Sequence, residues 1–404
     1  MRNILFLIIM SYGVILSNTV NAKSMVGAYI QGNGYRLEKM TAFEADINKD
    51  LAIINLFTSF DYDWHTLRVQ NANIIAQGAT PMITLEPTLA LRHNDNLLPE
   101  IIAGDWDEYL DNWIADFKIW IEDLGDPNAK VLLRFAHEFN GIWYPWSNYP
   151  THYILAWRYL HERFEMAGAN QYVEWVWNAN NVDVDDYDDI TLYYPGDDVV
   201  DWTSIDGYNW GSNFSFSQWN TFAELFEEKY ALLMSKYPNK PIIIAEIASA
   251  EPSDIPDLLL GQDGDDSDSA ESKALWIKDM FKQLRTHFRG IKGIVWFNIN
   301  KELSWSINEA DHNTGLTKFK KKVKRQYYIS EFRMADSFVR NGMLKGLGKH
   351  QIVNKQANTS ERQVMFMQRG HRVKGQAAGF RQMKKAMIEQ RRKQHHKMIA
   401  EQVR

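Results

Sequence analysis

Eight short apolar runs constrain this chain more than any other feature of its sequence. They lie at 26–30, 51–57, 80–85, 131–136, 172–178, 202–208, 241–246 and 293–298, with helical stretches between them. Runs of this length and composition read as strands buried on both faces, and strands that alternate with helices call for parallel pairing. A count of eight predicts a closed (β/α)8 TIM barrel. The intervening helices are legible too. Residues 107–122 place Tyr109 or Leu110, Trp113 or Ile114, Phe117, and Trp120 or Ile121 on one face at helical spacing, and 151–166 behaves similarly.

Five of the runs finish in side chains able to do chemistry, at the strand ends that open onto a barrel's mouth. The third ends Leu85-Glu86-Pro87 and the fourth in Arg134-Phe-Ala-His-Glu-Phe-Asn-Gly-Ile-Trp-Tyr-Pro-Trp146. The sixth ends in Asp206-Gly-Tyr208-Asn-Trp210, the seventh in Ala245-Glu246 and the eighth in Val295-Trp296-Phe297-Asn298. Glu138 is expected in an aromatic, partly desolvated pocket, where a carboxyl group tends to keep the proton that a general acid must give. Trp143 and Trp146 would offer flat faces for sugar rings, while Arg134, His137 and Asn140 would orient carboxylates and hydroxyls. The plainer alternative is a helix start with a buried Arg134–Glu138 ion pair. Glu246 supplies a second carboxylate, unless it merely caps the helix that follows.

The thirteen-residue cluster resembles the acid/base motif of glycoside hydrolase family 26, which ends the fourth strand of a (β/α)8 barrel. It departs at Phe135-Ala136, where many members have a proline. The resemblance covers roughly residues 25–315 and implies Glu138 as acid/base and Glu246, at the end of strand seven, as nucleophile of a retaining mechanism. It also implies that Tyr208 hydrogen-bonds the nucleophile and that Trp296 floors the sugar subsite. Glu86, His93 and Trp210 are further substrate-binding candidates, and Trp305 is placed at the edge of the mouth.

Composition adds bounds. Absent cysteines exclude disulfides, thiolate zinc sites and cysteine nucleophiles. Residues 1–22 carry one positive charge, a short apolar core and Val20-Asn-Ala22, which together read as a secretory signal peptide. A single-span anchor is the alternative. The net charge of −6 conceals two unlike parts: residues 318–404 hold 23 Lys+Arg against 5 Asp+Glu, while 1–317 hold 22 against 46. Accordingly 23–326 is expected to be the catalytic barrel and 327–404 a basic tail, disordered or partly helical over 379–404. The acidic stretches 183–189 and 263–268 do not fit a twelve-residue calcium loop and read as solvated loops.

The expectation is a secreted or periplasmic, monomeric, retaining endo-β-glycosidase that hydrolyses β-1,4-mannan. It would need no cofactor or metal, no nucleic-acid partner, and no membrane once the leader is removed. A mixed-linkage β-1,3-1,4-glucanase is the alternative within the same chemistry. A non-catalytic carbohydrate-binding barrel and a polyanion-binding module in the tail are the alternatives outside it.

Overall fold

The computed structural model describes residues 23–184, 186–187, 189–214, 217–251, 271–309 and 314–340. The leader at 1–22, the acidic stretch 263–268 and the helix expected at 379–404 lie outside the described residues.

In chain order the elements are β1 (Ser24–Ile30), α1 (Leu37–Ile47), β2 (Ile53–Ser59), α2 (Trp64–Ala76), β3 (Thr80–Glu86), α3 (Leu98–Ala103), α4 (Asp107–Asp123) and β4 (Val131–Phe135). There follow α5 (Pro150–Met166), β5 (Val173–Asn180), β6 (Trp202–Asn209), α6 (Phe222–Lys236), β7 (Ile242–Ser249), α7 (Lys273–Thr286) and β8 (Ile291–Asn298). The last described elements are α8 (Thr314–Val323), β9 (Tyr328–Ile329) and α9 (Ala335–Arg340). Neighbouring strands β1 to β8 all pair in parallel, and β1 meets both β2 and β8, which closes the barrel.

Alternation of side chains along each strand divides the interior in two. One set, including Met25, Ile53, Met82, Leu132, Val176, Trp202, Ile243 and Val295, fills the barrel itself. The other faces the helix ring, where Leu110, Ile114, Phe117 and Ile121 of α4 meet the sheet along the stripe the sequence shows. Local signals fix the helix starts: Thr221 and Glu224 form a reciprocal capping box at α6, and Asp63 accepts from the Thr66 amide at α2.

The boundary expected at 326 falls inside the fold. β9 pairs with the start of β1, and Ile329, Ala335 and Phe338 join the barrel-interior cluster from below. The folded body therefore runs at least to residue 340, and residues 327–340 close the barrel's lower end. Elements of two and six residues have no period to read, so the basic composition around them dominates their appearance in the sequence.

Candidate active site

The mouth is built on a polar layer. Asn55 accepts from Thr84, whose hydroxyl accepts from Arg134 Nε at 2.9 Å, and Arg134 Nη1 lies 2.7 Å from Asp206 Oδ2. Asn178 completes the layer by donating to both Ser204 and Asp206, each at 2.8 Å. Arg134 is wholly buried. Burial works against its charge, but Asp206 and Glu246 more than reverse that, so the guanidinium stays ionised. Three carboxyl groups share this one cation, and the Asp206 carboxyl is pushed well above the usual carboxylate range. Burial is the main cause; Arg134 opposes it, while Glu246 and Glu138 reinforce it.

Glu246 reaches this layer through a bulge. Ile205 pairs with Ile244 but Asp206 pairs with Glu246, so Ala245 is an extra residue on β7. Ile243 and Ala245 already face the barrel interior, and strict alternation would send Glu246 toward the helices. The bulge turns it inward. There Glu246 Oε1 accepts from Arg134 Nη2 at 2.6 Å and Oε2 accepts from the Tyr208 hydroxyl at 2.5 Å. Burial, and then the Glu246 charge, push the Tyr208 phenol well above its ordinary value, which keeps it a donor.

Glu138 arrives by a different device. Beyond β4, Ala136 and Glu138 both adopt left-handed backbone, with φ of 47° and 50°, a region such side chains rarely occupy. The Glu138 amide is tied to the Asn178 carbonyl at 3.0 Å. Its carboxylate accepts from two neutral donors, Trp143 Nε1 at 2.5 Å and Asn180 Nδ2 at 2.7 Å. His137 stands beside Glu246 with Nε2 2.8 Å from the Tyr144 hydroxyl, 3.9 Å from Glu246 and 4.0 Å from Glu86. Both glutamates act electrostatically on Arg134, Asp206 and Tyr208.

Several residues expected to touch substrate serve the scaffold instead. Asn140 spends its amide on the loop after β5: Oδ1 accepts from the Asn180 amide at 2.8 Å, and Nδ2 donates to Asp183 and to the Asn180 carbonyl. Trp146 is buried, donates to the His137 carbonyl and stacks on Tyr144 at 4.4 Å. Trp296 does not floor a subsite. It is fully buried against Trp276 and Phe319 on the helix side, because Val295 and Phe297 take the inward positions of β8. The aromatic wall beside Glu246 is formed by Tyr208, Trp210 and Trp305, with Trp305 5.2 Å from Tyr208 and 4.9 Å from Trp210. Glu86 is drawn in through His137, whereas His93 is exposed after the short 3-10 turn at Ala90–Arg92.

Asn180, Tyr144 and the Asp183–Lys229 ion pair, which anchors the loop after β5 to α6, are parts of this arrangement that the sequence does not single out. Asn180 had a signal, since Asn178-Ala-Asn180 alternates as an inward-facing polar pair should. Asp183 belongs to the first acidic stretch, and its carboxylate is occupied by Asn140 and Lys229. Among the described residues no cluster of three or more His, Asp or Glu side chains is arranged to hold a metal ion.

Comparison with known proteins supplies the lineage of this geometry. The chain is 33% identical to Endoglucanase H of Acetivibrio thermocellus over 298 residues, which is 72% of this chain and 29% of that relative. It thus spans under a third of that relative's length. It is 31% identical to a mannan endo-1,4-beta-mannosidase of Thermothelomyces thermophilus over 143 residues, 35% of this chain and 25% of the relative. The barrel superimposes on the catalytic domain of the Bacillus sp. JAMB-750 GH26 endo-beta-1,4-mannanase with a TM-score of 0.56 at 16% identity, covering 76% of this chain and 87% of that one. The match to the model of glycosyl hydrolase family 26 runs over residues 95–297, from the loop before α3 through β8, and takes in both glutamates and the cation between them. On that match, and on a barrel built as it requires, this chain belongs to glycosyl hydrolase family 26.

Proposed function

We propose that the protein is a retaining endo-β-glycanase in which Glu138 is the acid/base and Glu246 the nucleophile. The observation that carries this reading is the unlike bracing of the two carboxylates. Glu246 accepts from a guanidinium and a phenol, which aim it as an attacking group, while Glu138 accepts from the neutral Trp143 and Asn180. In the first step Glu138 gives its proton to the glycosidic oxygen as that bond breaks, and a Glu246 oxygen bonds to the anomeric carbon with inversion. In the second, Glu138 takes a proton from water, whose oxygen displaces Glu246 with a second inversion, so the configuration is retained.

For the backbone cleaved, β-glucan is the first reading, supported by 33% identity to an endoglucanase over 72% of this chain. β-1,4-Mannan is the second, supported by the shorter match to a mannosidase. Hydrolysis of lichenan, galactomannan and xylan side by side decides between them. For the chemistry, Glu138→Ala should abolish cleavage of polysaccharide yet still form a glycosyl-enzyme from an aryl glycoside with a good leaving group, with turnover restored by azide. Glu246→Ala should fail on both substrates, and any azide product should be of inverted configuration. Equal losses on both substrates, with no response to azide, would reject the assignment of roles.

We also propose export, from the leader-like residues 1–22. Protein recovered from the medium should begin near Lys23, and recovery of an intact membrane-bound form beginning at Met1 would reject it.

A further inference from the structure

On the flank of the barrel two helices lay cations side by side. Lys278, Lys282 and Arg285 recur at i, i+4 and i+7 along α7, and so share one face. Lys318 and Lys322 on α8, with Arg325 in the turn just beyond, repeat the same spacing. The helices are packed together, with Phe281 of α7 and Phe319 of α8 5.1 Å apart between ring centres. Lys278, Lys282 and Arg285 from the first stripe and Lys322 and Arg325 from the second line a groove of about 330 Å3 with Leu275 and Phe281, and Asp279 is its single carboxylate. Among the described residues none of the six cations has a carboxylate within ion-pairing distance, although residues 1–317 hold 46 acidic side chains.

Like charges at helical spacing cost stability, and that cost recurs here on both helices. Burial and the neighbouring cations lower the pKa of Lys322, as repulsion within the cluster requires. A partner that brings negative charge would relieve this repulsion. We propose that the α7–α8 groove binds a linear acidic polysaccharide with carboxylates along its chain, an anchoring site separate from the mouth.

The shape of the groove selects the occupant. A groove of about 330 Å3 between two packed helices has room for a segment of a single polymer strand and none for a nucleic-acid duplex. Single-stranded nucleic acid binds through exposed aromatic platforms, and the one aromatic ring of the groove, Phe281, is buried. No large exposed apolar side chain rims it for insertion into a bilayer. The choice of a sugar polymer over an acidic polypeptide rests on the proposed function, in which the mouth already receives an extended sugar chain. Position favours an anchor as well. Arg325 leads into β9, which pairs with the start of β1, so the cationic end of the groove lies opposite Glu138 and Glu246. Residues 341–404, which follow α9, add 15 Lys+Arg against 3 Asp+Glu to the same chain.

The test uses the full chain and polygalacturonate as the probe, with binding read by titration at several salt concentrations and hydrolysis of a soluble neutral oligosaccharide read separately. Charge reversal in Lys278→Glu, Lys282→Glu, Arg285→Glu and Arg325→Glu together should weaken binding by at least about tenfold and flatten its salt dependence, because fewer counterions are released. The rate on the neutral substrate should not change. Lys282→Arg with Arg325→Lys, which keeps the charge, should bind like the parent. Equal affinity of parent and charge-reversed protein would overturn the proposal. So would groove-dependent binding that is as tight for duplex DNA, poly-glutamate or phosphatidylglycerol vesicles as for polygalacturonate. Because binding and hydrolysis are read apart, an inactive enzyme that still binds through the groove would count against the proposed function alone.

Discussion

The two ends of the barrel treat a buried cation in opposite ways. At the mouth, Arg134 is fully enclosed and held ionised by Asp206 and Glu246, and hydrogen bonds to Thr84 and from Asn178 tie Arg134 and Asp206 into one layer. At the floor, Glu174 and Lys292 are also buried, but each leans toward its neutral form. Burial, aided by Asp201, raises the Glu174 carboxyl to about 7, and burial, aided by Arg289, lowers the Lys292 ammonium to about 8. Glu174 accepts from Trp202 and from the Ala335 amide, and Lys292 donates to the Arg289 carbonyl and lies over the Phe338 ring. The mouth keeps the Arg134 cation charged by pairing it, at the expense of desolvation, although burial leaves the Asp206 carboxyl well above the usual carboxylate range. At the floor burial draws Glu174 and Lys292 toward their neutral forms without removing the charge of either. Chemistry needs the first arrangement and folding needs only the second.

The sharpest way to break this contrast is to remove the cation of the mouth. Arg134→Met leaves Asp206 and Glu246 buried without it, and breaking a buried pair from one side costs about 3–5 kcal/mol. Activity should fall by at least about 10²–10³-fold, since Glu246 also loses the donor that aims it. Urea unfolding and kcat/KM on the best polysaccharide measure the two losses. A variant with parental stability would show that the layer is not a charge-paired unit.

At the floor the same exercise should separate stability from rate. Phe338 is 2% exposed and packs against Trp202 at 5.7 Å. Phe338→Ala should cost about 3–5 kcal/mol of stability, yet leave kcat per folded molecule unchanged. If kcat falls with stability, then the two ends are coupled and the comparison fails. Deleting residues 341–404 should spare both properties, whereas a deletion that begins at 327 takes β9 and α9 with it.

The eight strands were legible in the sequence because both faces of each are buried, which leaves continuous apolar runs. That same property hid which residues face inward. In Ile291–Asn298 nothing but position distinguishes Trp296 from Phe297, and the tryptophan ring beside Tyr208 is that of Trp305, not Trp296. The bulge at Ala245 leaves no trace in composition, so the sequence identified Glu246 as important without showing how it turns inward. Arg134 and Asp206, 72 residues apart, were each visible as strand-end polar residues, but their pairing depends on barrel closure.

A smaller effect, and one with a defined sign, comes from Glu174. Its pKa is about 7 in the fold against 4.5 for the unperturbed group. Below about 4.5 both folded and unfolded chains carry the proton. Between there and about 7 the unfolded chain gives it up while the folded chain keeps it, so stability falls with rising pH by up to about 3 kcal/mol. Glu174→Gln retains an acceptor for Trp202 and removes the titration. The variant should gain on the parent as pH rises from 5 to 8 in paired urea titrations, and a constant difference between the two would show that Glu174 is not held neutral by the floor.

The finest probe returns to the mouth and asks whether Glu138 is set by its hydrogen bond to Trp143 or only by its backbone. A β-carbon added at Gly141 would lie 2.4 to 2.6 Å from three atoms of the Trp143 ring, closer than any unstrained contact. The ring must move, and with it the indole N–H that donates to Glu138 Oε2 at 2.5 Å. Gly141→Ala should therefore lower kcat by about 10- to 10²-fold, in the range lost with a single preorganised donor, while stability changes little because Trp143 is only half-buried. Trp143→Phe removes the donor without the collision. If both variants lose the same factor, then the hydrogen bond carries the effect. If Gly141→Ala is impaired and Trp143→Phe is not, then the left-handed turn at Ala136 and Glu138 positions the carboxylate, and the indole serves only to fill space. Parental rates in both would mean that Glu138 needs neither, and that the mouth tolerates looseness around Glu138 that the Arg134 layer does not allow.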